Sequence, residues 1–278
     1  MSATTQAQQS GRKAAQSPAL RVMARGGLVA RGIIYMLVGA LALRIAFGDH
    51  SAQADRGGAL QTVAQAPFGK VLLWILAAGF AGLAAWRFAE AIYGQAGPDG
   101  RKATKRVSSA ARGVFYAVVC ATTVSLAVGS GGPKSSDAKS KDATGRAMHD
   151  VPGGRWIVLI VGIALIGAGI GIAYRALSKK FLKKLNTAQM TPRTRKVVEA
   201  LGMTGRTARG VVYAAAGALF AYAAITFDPG KAKGVDGTLR SFAGTPAGPW
   251  LLVAIALGLI TFGVYSCAEA RYRRVTPG

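Results

Sequence analysis

Five stretches of the chain carry no charged residue: Val71 to Trp86, Gly113 to Pro133, Trp156 to Tyr174, Gly210 to Phe227 and Ser241 to Ala268. Each comes close to the ~20 residues that an α-helix needs to cross a hydrocarbon core. A soluble chain of 278 residues has no need of five such stretches. A sixth, Leu28 to Phe47, is cut by Arg31 and Arg44 near its ends, where long basic side chains can snorkel to the headgroups. The pattern predicts an all-α, polytopic membrane protein of six transmembrane helices.

The same segments carry a motif three times. It reads Ala30-Arg31-Gly32-Ile33-Ile34-Tyr35 with Gly39, then Ala111-Arg112-Gly113-Val114-Phe115-Tyr116 with Cys120, then Ala208-Arg209-Gly210-Val211-Val212-Tyr213 with Gly217. Each copy continues into a polar connection and a proline with glycine two positions on: Pro67 and Gly69, Pro152 and Gly154, Pro246 and Gly248. A second apolar helix follows, and its charged end stays in register at Glu90, Arg175 and Glu269. The chain is therefore three tandem helical hairpins. An even number of spans gives all copies one orientation, and a pseudo-threefold bundle about an axis along the membrane normal is the simplest arrangement.

The repeat divides the chain into a disordered terminal segment (1–21), repeat 1 (22–94), repeat 2 with its linker (95–178), a basic linker (179–200), repeat 3 (201–272) and a short tail (273–278). Short amphipathic helices on the bilayer surface are expected before Pro67 and Pro246, from the matched Gly58-Ala59-Leu60 and Gly237-Thr238-Leu239. The corresponding part of repeat 2, rich in Lys, Ser and Asp, reads as a flexible loop. The basic linker reads as either a lipid-surface segment or a solvated loop.

Charge orients the bundle. The net charge is +24, which in a soluble protein would suggest nucleic acid. Here most Lys and Arg lie on the side of the termini, nine of them between Lys179 and Arg209, whereas the opposite side holds ten with seven aspartates. By the positive-inside rule the termini are cytoplasmic, and the excess charge signals topology and attraction to anionic phospholipid, not nucleic acid.

Within the motif, arginine suits a phosphate headgroup and tyrosine a boundary between water and hydrocarbon. Arg31, Arg112 and Arg209, with Tyr35, Tyr116 and Tyr213, are thus expected as interfacial anchors at the cytoplasmic ends of their helices. The small residues Gly32 and Gly39, Gly113 and Cys120, Gly210 and Gly217 share another face and are expected to let helices pack closely. Pairs within a copy, Arg31 with Glu90 and Arg209 with Glu269, are geometrically open and would lower the cost of ions near hydrocarbon. Repeat 2 breaks this scheme with two like charges, Arg112 and Arg175, which call for a lipid phosphate or another anion.

His50 and His149 have no partners at ligand spacing, and no nucleophile, Walker or dinucleotide motif occurs. No cofactor, metal or catalytic residue is predicted, and the chain reads as a non-enzyme. Cys120 and Cys267 differ in expected depth and predict no disulfide.

The three Ala-Arg-Gly starts, the Pro-x-Gly turns and the acidic ends at Glu90 and Glu269 resemble a family of bacterial membrane proteins known as domain of unknown function 1206. The resemblance runs from about Val22 to Tyr272. It implies a multi-pass protein of the bacterial cytoplasmic membrane made of three two-helix domains, and it implies no activity. Two function classes follow: a structural or interaction component contacting lipid or another membrane protein, or a small-solute or ion transporter with a path on the pseudo-threefold axis. Sparse polarity in the spans favours the first. A hydrated axial cavity lined by Arg31, Arg112 and Arg209 would favour the second.

Overall fold

A computed structural model describes residues 18–49, 51–94, 102–130, 135–243 and 247–273. Most of the expected disordered segment 1–21, His50, Pro133, Pro246 and all of the tail but Arg273 lie outside the described residues. Repeat 1 comprises α1 (Pro18–Ala46), α2 (Arg56–Gln65) and α3 (Gly69–Tyr93). Repeat 2 comprises α4 (Ala103–Ala127), α5 (Ser136–Asp150) and α6 (Gly154–Leu177). Repeat 3 comprises α7 (Pro192–Thr226), α8 (Val235–Ala243) and α9 (Gly248–Tyr272). Six of these, α1, α3, α4, α6, α7 and α9, are long and apolar enough to cross a membrane. The three short helices connect the long pair of each copy on one side of the bundle, the distal side. The connections between copies lie on the other, the terminal side.

The second helix of each copy packs against the first helix of the next: α3 on α4, α6 on α7, and α9 back on α1. The repeated small residues make these three contacts. A Cβ on Gly32 would sit 2.8 Å from the Gly263 carbonyl oxygen, one on Gly210 2.7 Å from that of Gly169, and one on Gly217 2.6 Å from that of Gly162. In the α3–α4 contact, Gly113 faces the Phe88 ring, and the Cys120 thiol reaches the Ala77 carbonyl at 3.4 Å. Backbones thus approach without side chains between them, as apolar helices do when dispersion drives their association. Gly39 extends the α1 stripe against Ala256 and Ile260.

Within copies, α1 packs on α3 and α7 on α9. Among the described residues, neither α6 nor α7 packs on α4. The six long helices form a pseudo-threefold ring with one open seam, and α4 and α6 are its least buried members.

On the distal side the three copies interlock through aspartates. Asp55 caps α2 through Gly58 and also accepts from the Ser136 backbone of repeat 2. Asp137 accepts from the Gly234 backbone of repeat 3 at 3.2 Å, and Asp236 from the Ala54 backbone of repeat 1 at 2.7 Å. Each copy thus satisfies an amide of the next in a cycle, leaving fewer buried N–H groups orphaned. This cycle also orders repeat 2, where α5 replaces the flexible loop expected from composition. Ser135 caps α5 at Ala138, and Met148 buries its side chain beneath it.

The proline–glycine turns have a common cause. Gly69, Gly154 and Gly248 each tuck under carbonyls at the end of the preceding short helix, where a Cβ would collide with backbone. The residue before them is left-handed in two copies, Phe68 at φ 60° and Gly153 at φ 73°.

On the terminal side, the basic linker is not a free loop: part of it packs into the end of the bundle. Phe181 and Leu185 are buried, with Phe181 edge-on to Tyr265 at 5.5 Å. Leu185 bridges Arg273, and the Asn186 N–H donates to the Tyr272 carbonyl at 2.8 Å. From Pro192 the linker is already the first turns of α7, which bury Val198. The apolar residues interspersed among its lysines go into the end of the bundle.

Candidate functional site: an axial cationic chamber

The motif arginines do not open their helices. Arg31, Arg112 and Arg209 lie well inside α1, α4 and α7, because each helix begins several turns earlier, in polar sequence. Arg31 is buried and pairs between copies, not within one. Its Nη2 donates to Glu269 Oε2 at 2.7 Å and to Ser266 Oγ at 3.1 Å. Glu269 also takes Arg273 and lies 3.8 Å from Arg206. Glu90, expected to hold Arg31, instead accepts from Arg87 at 2.7 Å and from Ser109 of α4 at 3.1 Å. The reason is the ring order: α9, not α3, presents its acidic end to Arg31. These buried pairs seal the terminal end of the axis.

Among the described residues Arg209 has no carboxylate at ion-pair distance, since Glu269, expected to hold it, is taken by Arg31. Its guanidinium carbon lies 5.6 Å from the Tyr35 ring centroid, 5.2 Å from Tyr213 and 5.1 Å from Phe262. Its buried Nε has no hydrogen-bond partner. Arg56, from the start of α2, approaches the same tyrosine from the distal side, 5.7 Å from the Tyr35 centroid and 4.4 Å from Phe115. It donates to the Tyr35 hydroxyl at 3.1 Å. Among the described residues no carboxylate is within ion-pair distance of Arg56 or Arg209.

These side chains border a cavity of about 240 Å³ on the axis. Its walls are Tyr35 and Val38 of α1, Phe115, Val118 and Thr122 of α4, and Val212 and Tyr213 of α7, the first helices of the three copies. Its distal roof comes from Asp55 and Arg56, from Ser136 and Lys139 of α5, and from Val235 of α8. Asp55 accepts hydrogen bonds from Gly58, Gln53 and Ser136 and makes no ion pair with Arg56 or Arg209. A separate small cavity of about 10 Å³ lies against Arg31, Phe80 and Tyr116 and shares Tyr35, Arg56 and Phe115 with the chamber walls.

The expected interfacial tyrosines therefore turn inward. Tyr35 is edge-on to Phe262 at 4.7 Å, Tyr116 stacks on Phe80 at 6.5 Å, and Tyr213 lines the chamber. Arg112 and Arg175 are exposed on α4 and α6 and are not brought together. Among the expected axial arginines only Arg209 lines the main chamber, with Arg31 against the small second cavity. Arg56 escaped sequence reading because it sits in a connection expected at the surface. Its signal was Asp55, the capping residue of a matched distal helix.

Fold and site together define a polytopic helical membrane protein of three tandem hairpins around a cationic axial chamber. The family model for the Domain of Unknown Function (DUF1206) matches residues 26–94, 107–179 and 204–273, one match per hairpin, and the chain belongs to that family. It is 28% identical over 262 residues to the uncharacterised protein YxxB of Bacillus subtilis (strain 168), covering 93% of each chain. No solved structure matches.

Proposed function

We propose that this protein is a membrane-embedded binding component that holds an anionic ligand in its axial chamber, and that it is not an enzyme. The observation that carries the reading is the pair Arg56 and Arg209, two guanidiniums 5.7 and 5.6 Å from the Tyr35 ring centroid, with no carboxylate within ion-pair distance of either among the described residues. Like charges in an apolar, weakly screened site repel, and an anion bound between them removes that cost and gains charge-assisted hydrogen bonds. Arginine forks are suited to carboxylate or phosphate. The concentration of basic residues on the terminal side supports a bacterial cytoplasmic membrane with both termini inside. The chamber then faces outward. Another membrane protein docking on the exposed faces of α4 and α6 remains compatible with this reading.

The test is ligand-dependent thermal stabilisation of purified protein in detergent. Anionic phospholipids or short phosphate esters are expected to raise the melting temperature of wild type, and Arg56→Gln or Arg209→Gln to lose most of that shift. Absence of any anion-dependent shift in wild type contradicts the reading.

One observation favours transport as the second reading: a second small cavity against Arg31 and Tyr116 shares Tyr35, Arg56 and Phe115 with the chamber. Anion flux in proteoliposomes that Arg209→Gln abolishes would select it. Retention of ligand without flux selects binding.

A further inference from the structure

Resting on the anion-binding reading, we infer that the ligand is an anionic phospholipid that enters sideways through the open seam, its headgroup in the chamber and its acyl chains along α4. Three observations converge on this. First, the chamber is too small for a whole amphiphile: about 240 Å³, against roughly 300–1,000 Å³ for pockets that enclose drug-sized ligands. The rest of any larger ligand must lie outside it.

Second, the one wall missing from the ring lies where such a remainder would go. Among the described residues α4 makes no packed contact with α6 or α7, and no residue of α6 lines the chamber. At the distal surface, by contrast, the aspartate cycle ties the three short helices together. A soluble anion would have to pass that roof. A lipid already in the bilayer would not.

Third, cations and apolar surface adjoin there. The chamber offers Arg56, Arg209 and Lys139. Its α4 wall offers Phe115 and Val118, both exposed, and Thr122, whose hydroxyl is used on the Val118 carbonyl at 2.8 Å. Cations beside an exposed apolar wall match a phosphate headgroup followed by an acyl chain.

The test is native mass spectrometry of the full chain with defined ligands: phosphatidylglycerol, phosphatidylcholine of the same chains, and glycerol phosphate without chains. Wild type is expected to retain one phosphatidylglycerol per chain at least tenfold more tightly than either alternative. Arg209→Gln is expected to remove the preference for phosphatidylglycerol over phosphatidylcholine. Arg56→Gln, outside the spans, gives the same readout should Arg209→Gln fail to fold. Val118→Trp, which crowds the α4 wall along which the acyl chains would leave, is expected to weaken phosphatidylglycerol at least tenfold. Glycerol phosphate bound as tightly as the lipid, or a harmless Val118→Trp, overturns lateral entry but leaves anion binding standing. A dimer whose formation excludes the lipid also overturns lateral entry. No preference for any anion in wild type overturns both.

Discussion

Arg31 and Glu269, 238 positions apart in sequence, are joined by a buried ion pair of 2.7 Å that ties the first long helix to the last. This contact closes the ring of copies on the terminal side, as the aspartate cycle does on the distal side. Glu269 is shared with Arg206 and Arg273, so one carboxylate balances several cations. Its loss leaves those charges buried together. Glu269→Gln is expected to lower stability by about 3–5 kcal/mol, the range for removing one partner of a buried pair. Thermal unfolding in detergent measures this. A change no larger than that of an exposed control such as Asp150→Asn would show that the pair is not structural.

The glycine contacts predict a graded response. In Gly210→Ala the new methyl meets the Gly169 backbone, which cannot turn aside. A loss of about 1–3 kcal/mol is expected, as for overpacking of a filled core. Gly113→Ala meets the Phe88 ring, which can rotate away, and is expected to cost less. Equal losses would contradict the assignment of the α6–α7 contact to backbone approach.

Asp55 both caps α2 and holds repeat 2 to repeat 1. Asp55→Ala is expected to cost at least the ~0.5–2 kcal/mol of a lost N-cap. It should also expose α5 to limited proteolysis from the distal side, while the terminal side stays protected. An unchanged cleavage pattern would show that α5 is held without the aspartate cycle.

Lys184 gives a pH dependence outside the spans. Desolvation of its amine, then the nearby cations Arg273, Arg112 and Arg87, push it down to about 8 from its ordinary 10.5. Between those values the unfolded chain binds the proton that the folded protein has released, so this group's contribution to stability rises with pH there. Lys184→Gln is therefore expected to be more stable than wild type at pH 7, with an advantage that shrinks between about pH 8 and 10.5. Melting temperatures of the two proteins across that range measure it, and a constant difference would remove Lys184 from the cation cluster.

The hairpins and their count were legible because identical residue types recur at identical spacing. The small-residue stripe of Gly210 and Gly217 could likewise be read as a packing face. Its partner could not, since only the ring order decides that α7 meets α6. The same ambiguity misdirected Arg31 to Glu90: both acids sit at matching helix ends, and sequence does not say which copy is the neighbour. The Lys, Ser and Asp run to Asp142 read as a loop because its composition is polar, and the helix Ser136–Asp150 rests on caps and on the backbone of Gly234. Tyr35 read as an interfacial anchor because its aromatic ring and hydroxyl suit that place equally well. Its inward turn depends on Phe262 of another copy. Arg56 was passed over for a related reason: nothing local distinguishes a loop arginine from one aimed into a cavity.

The most direct measurement is photocrosslinking of an anionic phospholipid, carrying the reactive group on its acyl chain, to the protein in liposomes, followed by peptide mapping. The account predicts labels concentrated on the α4 segment from Phe115 to Thr122, diminished in Arg209→Gln. Labels spread evenly over the exposed faces of α3, α6 and α9, and unaffected by that substitution, would contradict it.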